Sequence, residues 1–367
     1  MGQKILGKVL NMYRQPSMSV EDVANKLHKN VEDIQKWESG ELEPTLYEKG
    51  LLSILYNIPL NLLTYDYNED IAATINCRAV GDFNNLPDEY KFIFASKVDN
   101  LRSFLKIVNS ELLKEKPIAN QQQFIHLEDA ELDILNCSKE INDKVKDIIL
   151  KKAYEFRKFE GFQQNGPIQD LLKQMEKRMA VLVFSQMPAD YSGLSFVSDK
   201  YADFYIFINS GDHYCKQTFT LLHEVAHVIF NLVDNDTMIE EYANCFANFV
   251  LLPPEDVQFD FKDFKLNNIE QYISRFETVS QKYEVGYKTI IYSLLNNNII
   301  SKEDLLKYGN NFADKIILQY FNKEYSVIKE SLRINEKLNG YLKKLIESGH
   351  MSYDFAIQMN FGKPFIN

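Results

Sequence analysis

The sequence predicts a mainly α protein with a small β-sheet, an α+β chain. Apolar residues recur at helical spacing along most of the 367-residue chain. Three short β-type runs cluster together: "AVLVF" (180–184), "SGLSFV" (192–197) and "FYIFIN" (204–209). Directly after them comes "TFTLLHEVAHVIF" (218–230), an apolar helical stretch interrupted by His223, Glu224 and His227.

The composition fits a globular chain with room for two or three cores: 45% hydrophobic, 25% charged, 14 Gly and 10 Pro. A formal net charge of -11 argues against broad affinity for nucleic acid or anionic membranes. Cys77, Cys137, Cys215 and Cys245 lie far apart with no CxxC, which reads as reduced thiols in a cytoplasmic protein. "MGQKILGKVL" lacks a signal-peptide core, and Leu6 stands where myristoylation wants Ser or Thr. With no run of about eighteen apolar residues, no membrane span is expected.

Residues 1–66 read as a domain of short helices. Ile5, Leu6, Val9 and Leu10 share a face of the first. Ser19 then caps a second helix, with Asp22 at the capping-box position and Val23, Ala24 and Leu27 turned inward. A turn at Lys29–Asn30 leads to a third holding Ile34 and Trp37, stopped by Gly40. Two short helices about a tight turn form a helix-turn-helix unit. The pattern, above all "WESGELEP" (37–44), resembles the Xre/Cro-type family of DNA-binding domains. That resemblance implies DNA contacts from Asn30, Glu32, Asp33, Gln35 and Lys36. The local charge does not favour them. Lys4, Lys8, Arg14, Lys26, Lys29, Lys36 and Lys49 face Glu21, Asp22, Glu32, Asp33, Glu38, Glu41, Glu43 and Glu48. Phosphate neutralisation by such a domain would be weak, so protein docking is the competing expectation.

The pattern further divides the chain into a helical linker region (67–150), a core (151–265), a small helical unit (266–301) and a helical C-terminal extension (302–367). Polar loops are expected near 81–88 and 115–125, and a Gly-Pro break inside 153–184.

His223 and His227 stand four apart, so on a helix both imidazoles leave one face, one turn apart. That spacing lets both reach one Zn²⁺ at about 2.0–2.1 Å. Glu224 points off the ligand pair yet can reach a water on the metal. A third ligand is needed. Phe230 and Val233 stand where a metzincin carries Gly and His, which excludes that class. A downstream glutamate is the other common solution. "TMIEEYANCFANFVLLPP" reads as a helix over about 237–251, ended by Pro253 and Pro254. Glu240, Ala243, Asn244 and Ala247 share one face, and the two alanines permit close approach to the histidine helix. Glu240 is therefore the preferred ligand and Asn244 an orienting partner for one histidine. Glu241, pointing about 100° away, is the competitor. His213 is a further candidate as a fourth ligand or substrate donor.

"TFTLLHEVAH" with "EEYANCFANFVLLP" resembles the ImmA/IrrE family of zinc metallopeptidases. "CRAV" (77–80), "FRKFEGFQQNGPIQDLL", "SGLSF", "IFIN" and the unit at 279–301 fit the same family. The resemblance implies a thermolysin-like, gluzincin-type zinc core and cleavage of a partner repressor. The setting it implies is stress response, mobile-element control or a toxin–antitoxin system in a bacterium or phage. Lys216 and Ala226 depart from the family pattern without removing a ligand.

The expected activity is therefore zinc-dependent endopeptidase cleavage of a repressor or antitoxin-like protein encoded nearby. Glu224 serves as general base in that reading. "FYIFIN" would hold substrate by strand addition if it edges the cleft, with Asn209 near the reacting end. The alternative is a DNA-binding regulator whose zinc is structural or senses metal.

Overall fold

The computed structural model describes residues 2–14, 18–66, 86–113, 125–178, 182–185, 187–188, 190–198, 203–230, 236–264, 273–304, 333–334 and 336–359. Cys77 with "CRAV", residues 199–202 between the second and third β-type runs and much of the 302–367 extension lie outside them. The elements, in chain order, begin with α1 (Gly2–Arg14), α2 (Val20–Leu27), α3 (Val31–Ser39), α4 (Leu46–Tyr56), α5 (Leu60–Leu63) and α6 (Asp88–Glu111). There follow α7 (Asp129–Cys137), α8 (Asp143–Phe159), α9 (Leu171–Arg178), β1 (Leu182–Ser185), β2 (Gly193–Ser198) and β3 (Asp203–Asn209). Next come α10 (Tyr214–Phe230), α11 (Asp236–Leu251), α12 (Pro254–Asp260), α13 (Ile273–Tyr283) and α14 (Tyr287–Asn296). The last are α15 (Lys302–Asp304), β4 (Arg333–Ile334), α16 (Glu336–Glu347) and α17 (Tyr353–Met359). Helix dominates and the sheet is small, as the residue pattern predicts. No described helix is long and apolar enough to cross a membrane.

The chain divides into two compact units. One comprises Met1–Asn120, Phe196–Tyr205 and Leu332–Asn367; the other Gln121–Ser195 and Ile206–Ser331.

In the first unit, Ser19 accepts the Asp22 amide while Asp22 accepts the Ser19 amide, a capping box at the start of α2. Asn30 and Asp33 form the same pair at α3. Such a cap is worth about 1 kcal/mol. His28 turns the chain out of α2 at φ 52°, and three residues separate it from α3. Gly40 ends α3 at φ 71°. A Cβ on Gly40 would stand 2.6 Å from the Lys4 Cα, and one on Gly7 would stand 2.6 Å from the Glu38 carbonyl oxygen. Only hydrogen fits at both positions, so α1 crosses the end of α3 in direct backbone contact. Leu6, Leu10, Val23, Ala24, Ile34, Trp37 and Leu52 fill the core beneath.

In the second unit, α10 lies along α11, and α8 packs against α11 as well. Ala226 on α10, and Ala243 and Ala247 on α11, are fully buried. Residues this small let two helix backbones approach closely. Aromatic rings lock the assembly edge to face: Phe230 meets Phe246 at 5.8 Å, and Phe246 meets Phe156 of α8 at 5.8 Å. Strand β3 lies between β2 and β1. It pairs with β1 in parallel, from Leu182 opposite Ile206 to Ser185 opposite Asn209. "FYIFIN" is thus an interior strand, so the open edge that strand addition at this segment would require is not there. The unbroken apolar run Tyr205–Ile208, all buried, belongs to a strand covered on both faces.

Candidate metal centre

Helix α10 begins where the His213 carbonyl oxygen accepts the amides of Lys216 and Gln217, each at 3.0 Å. Nearly its whole circumference is buried: Leu221, Leu222, Val225 and Ala226 show no exposed surface. Such a helix has little tolerance for polar groups unless they meet partners. His223, Glu224 and His227 must therefore be accounted for.

The two histidines, one turn apart, bring their Nε2 atoms to 2.9 Å from each other. Glu240, at the second turn of α11, closes the group. Its Oε2 lies 3.2 Å from His223 Nε2 and its Oε1 lies 3.2 Å from His227 Nε2. Among the described residues these three form a group able to hold a metal ion. Glu241, on the next position of α11, is exposed and outside the group. The small residues of α11 decide between the two acids, because the face that packs on α10 is the one that carries Glu240.

Donor chemistry and spacing agree with a zinc-type site. Ligands bonded at about 2.0–2.1 Å in a tetrahedron stand about 3.3 Å apart, close to the separations found. Two imidazole nitrogens that both present lone pairs at 2.9 Å repel unless a proton or cation lies between them. His223 Nδ1 lies 3.0 Å from Asn244 Oδ1. With Nε2 presented to the group, Nδ1 carries the proton and donates to Asn244, which fixes both tautomer and ring orientation. His227 Nδ1 is buried without a hydrogen-bond partner, so its ring is held by packing and by its Nε2 side alone. The adjoining His223 and His227 side chains hold the Glu240 carboxyl well below the ordinary carboxylate range. Burial opposes charge on His223, but contacts with Glu240, Glu224 and Asn244 outweigh it and raise its pKa.

Glu224 is 7% exposed and follows directly on the first histidine. Across from it runs the start of β2. A Cβ built on Gly193 would meet the Glu224 side chain, a proximity that the sequence gives only as an isolated glycine at a strand start.

Two other expected site residues sit differently. Asn209 is buried, and its polar groups are all engaged. Its Nδ2 donates to the Tyr191 carbonyl oxygen at 2.7 Å, and its Oδ1 accepts the Gly211 amide at 2.9 Å. Its amide donates to the Ser192 carbonyl oxygen and its carbonyl accepts from Gln217 Nε2. Asn209 ties the end of β3 to the segment before β2 and to α10, a structural role. His213 stands outside the His-His-Glu group, just before α10, where its Nδ1 lies 3.4 Å from the Lys216 amide.

The residues expected to meet DNA lie on or beside α3. Asn30, Glu32 and Gln35 are exposed, while Asp33 and Lys36 are half-buried. Asp33 is engaged in the Asn30 cap, and Lys36 binds Glu32 at 2.8 Å. Other cations of the same unit are also matched: Lys8 with Asp88, Arg14 with Glu38, Lys29 with Glu48, and Lys49 with Glu43.

Residues 176–295 match the family model of the IrrE N-terminal-like domain. The matched stretch contains both histidines, Glu224 and Glu240. It supports kinship with the ImmA/IrrE family and points to a metal-dependent peptidase with a protein substrate. No curated protein and no solved structure matches the chain.

Proposed function

We propose that this chain is a zinc-dependent endopeptidase that cuts a repressor or antitoxin-like partner protein. The observation that carries the proposal is the convergence of His223, His227 and Glu240, with Glu224 on the same helix. When bound there, zinc supplies Lewis acidity, polarising the scissile carbonyl and lowering the pKa of water to roughly 7. Glu224 takes the proton from the attacking water as the C–O bond forms. The same carboxyl returns that proton to the amine nitrogen as the C–N bond breaks, help worth about 10²–10⁴-fold. Asn244 keeps His223 in the tautomer that presents Nε2. Since β3 is interior, an added peptide would pair with an edge strand, and of the two edges, β2 and β4, β2 is the one that begins beside Glu224.

The first unit's α2–α3 pair is read as a helix-turn-helix within an N-terminal domain of residues 1–66. Its cations are largely matched by carboxylates of the same unit, which weakens phosphate contact and favours docking of a protein. The DNA-binding regulator with a structural zinc is therefore the lesser reading.

The test is incubation of purified protein with the product of the neighbouring gene. A discrete cut is expected, abolished by a chelator and restored by zinc. Cleavage indifferent to chelation, or none with zinc present, contradicts the proposal.

A further inference from the structure

The start of β2 lies unusually close to α10. A methyl group on Gly193 would stand 2.4 Å from Thr220 Cγ2, 3.1 Å from Glu224 Cγ and 3.1 Å from Glu224 Oε1. Thr220 and Glu224 are one helical turn apart, so both rise from the face of α10 that β2 crosses. Both are buried, at 6% and 7% exposure, so neither can swing into solvent to make room. Gly193 needs no special backbone angle, since its φ lies outside the left-handed region. The absence of a side chain is therefore not explained by turn chemistry. It is explained by what occupies the space.

We propose that Gly193 is a positioning residue for Glu224: its missing side chain creates the slot in which the carboxylate is held against the strand. The strand backbone forms one wall of that slot and the Thr220 methyl another. The proposal rests on Glu224 being the base, and it adds what fixes that base in place. A side chain confined this way loses little rotamer freedom when it takes up the proton-transfer geometry, since the slot has already restricted it. A methyl group at 193 forces Oε1 aside by a few tenths of an ångström. Proton transfer is sensitive to displacements of that order, whereas ground-state substrate binding is less so.

The simple variant G193A meets the Thr220 methyl at 2.4 Å and is at risk of not folding. T220S removes that methyl and keeps the hydroxyl, so of the three closest approaches to G193A the two with Glu224 remain. The zinc-loaded proteins T220S and G193A/T220S are compared on a substrate that the wild type cuts. Expected is a fall of about tenfold in kcat with KM within twofold and zinc content unchanged. Equal kcat in the two proteins overturns the proposal. So does a loss that lies entirely in KM.

A second measurement does not depend on catalysis. G193A should lower the Tm of T220S by several degrees, because overpacking a buried contact is destabilising. The same substitution in T220S/E224A should lower it much less, since the atoms it strikes are gone. An equal drop in both backgrounds overturns the proposal, because the slot would then not belong to Glu224. If the T220S parent and the wild type cut nothing, the peptidase reading fails, and the thermal comparison alone decides whether Gly193 holds Glu224.

Discussion

Glu224→Gln is expected to reduce cleavage by about 10²–10⁴-fold while leaving the bound zinc in place. The substitution keeps the size of the side chain and its place beside Gly193, but it removes the ability to accept a proton from water. Glu224 is not one of the three groups whose donor atoms converge, so losing its charge need not release the cation. The assay therefore separates two roles that a histidine variant would confuse. Peptide turnover and metal content measured on one preparation give the answer. Full activity in Glu224→Gln would mean that another group takes the proton.

Arg157→Met is expected to be the most damaging change remote from the site. Arg157 has no exposed surface, yet each of its three guanidinium nitrogens has a partner. Nε donates to the Gln163 carbonyl oxygen at 2.7 Å, and Nη1 and Nη2 donate to those of Val250 and Gly166, each at 2.5 Å. Val250 lies in the last turn of α11, where carbonyls have no partner within the helix. Arg157 thus stitches the loop after α8 to the end of the helix that supplies Glu240 and Asn244. Burial lowers its pKa to about 10, which still leaves it charged at neutral pH. Methionine fills similar volume but strands the buried Val250 carbonyl, at about 1–3 kcal/mol, and releases the more exposed carbonyls of Gln163 and Gly166 to solvent. The expected fall in Tm is several degrees. Arg157→Lys should recover only part of it, because one ammonium cannot span a fork of three acceptors. A Tm within a degree of the wild type would show that water replaces the guanidinium.

Much of this arrangement is legible in the residues. The capping pairs Ser19–Asp22 and Asn30–Asp33 are local, so the starts of α2 and α3 follow from short-range chemistry. The i, i+4 histidines and the small-residue face of α11 are likewise local patterns, and together they single out Glu240 over Glu241. Strand order is not local. Nothing in "FYIFIN" says whether it lies at the edge or the centre of a sheet, because a buried apolar run fits both a central strand and a cleft wall. The bonding of Asn209 is non-local for the same reason: its partners Tyr191, Ser192 and Gln217 come from two separate segments. Gly193 carries a signal too weak to interpret alone, since what matters is which helix stands opposite it.

The most direct measurement is elemental analysis of the protein purified without chelators, beside Glu240→Gln and His227→Ala. The account expects about one zinc per chain in the wild type and a large loss in both variants, since each removes one of three converging donors. Wild-type protein free of metal even after exposure to zinc, or variants that bind it as tightly as the wild type, would contradict it.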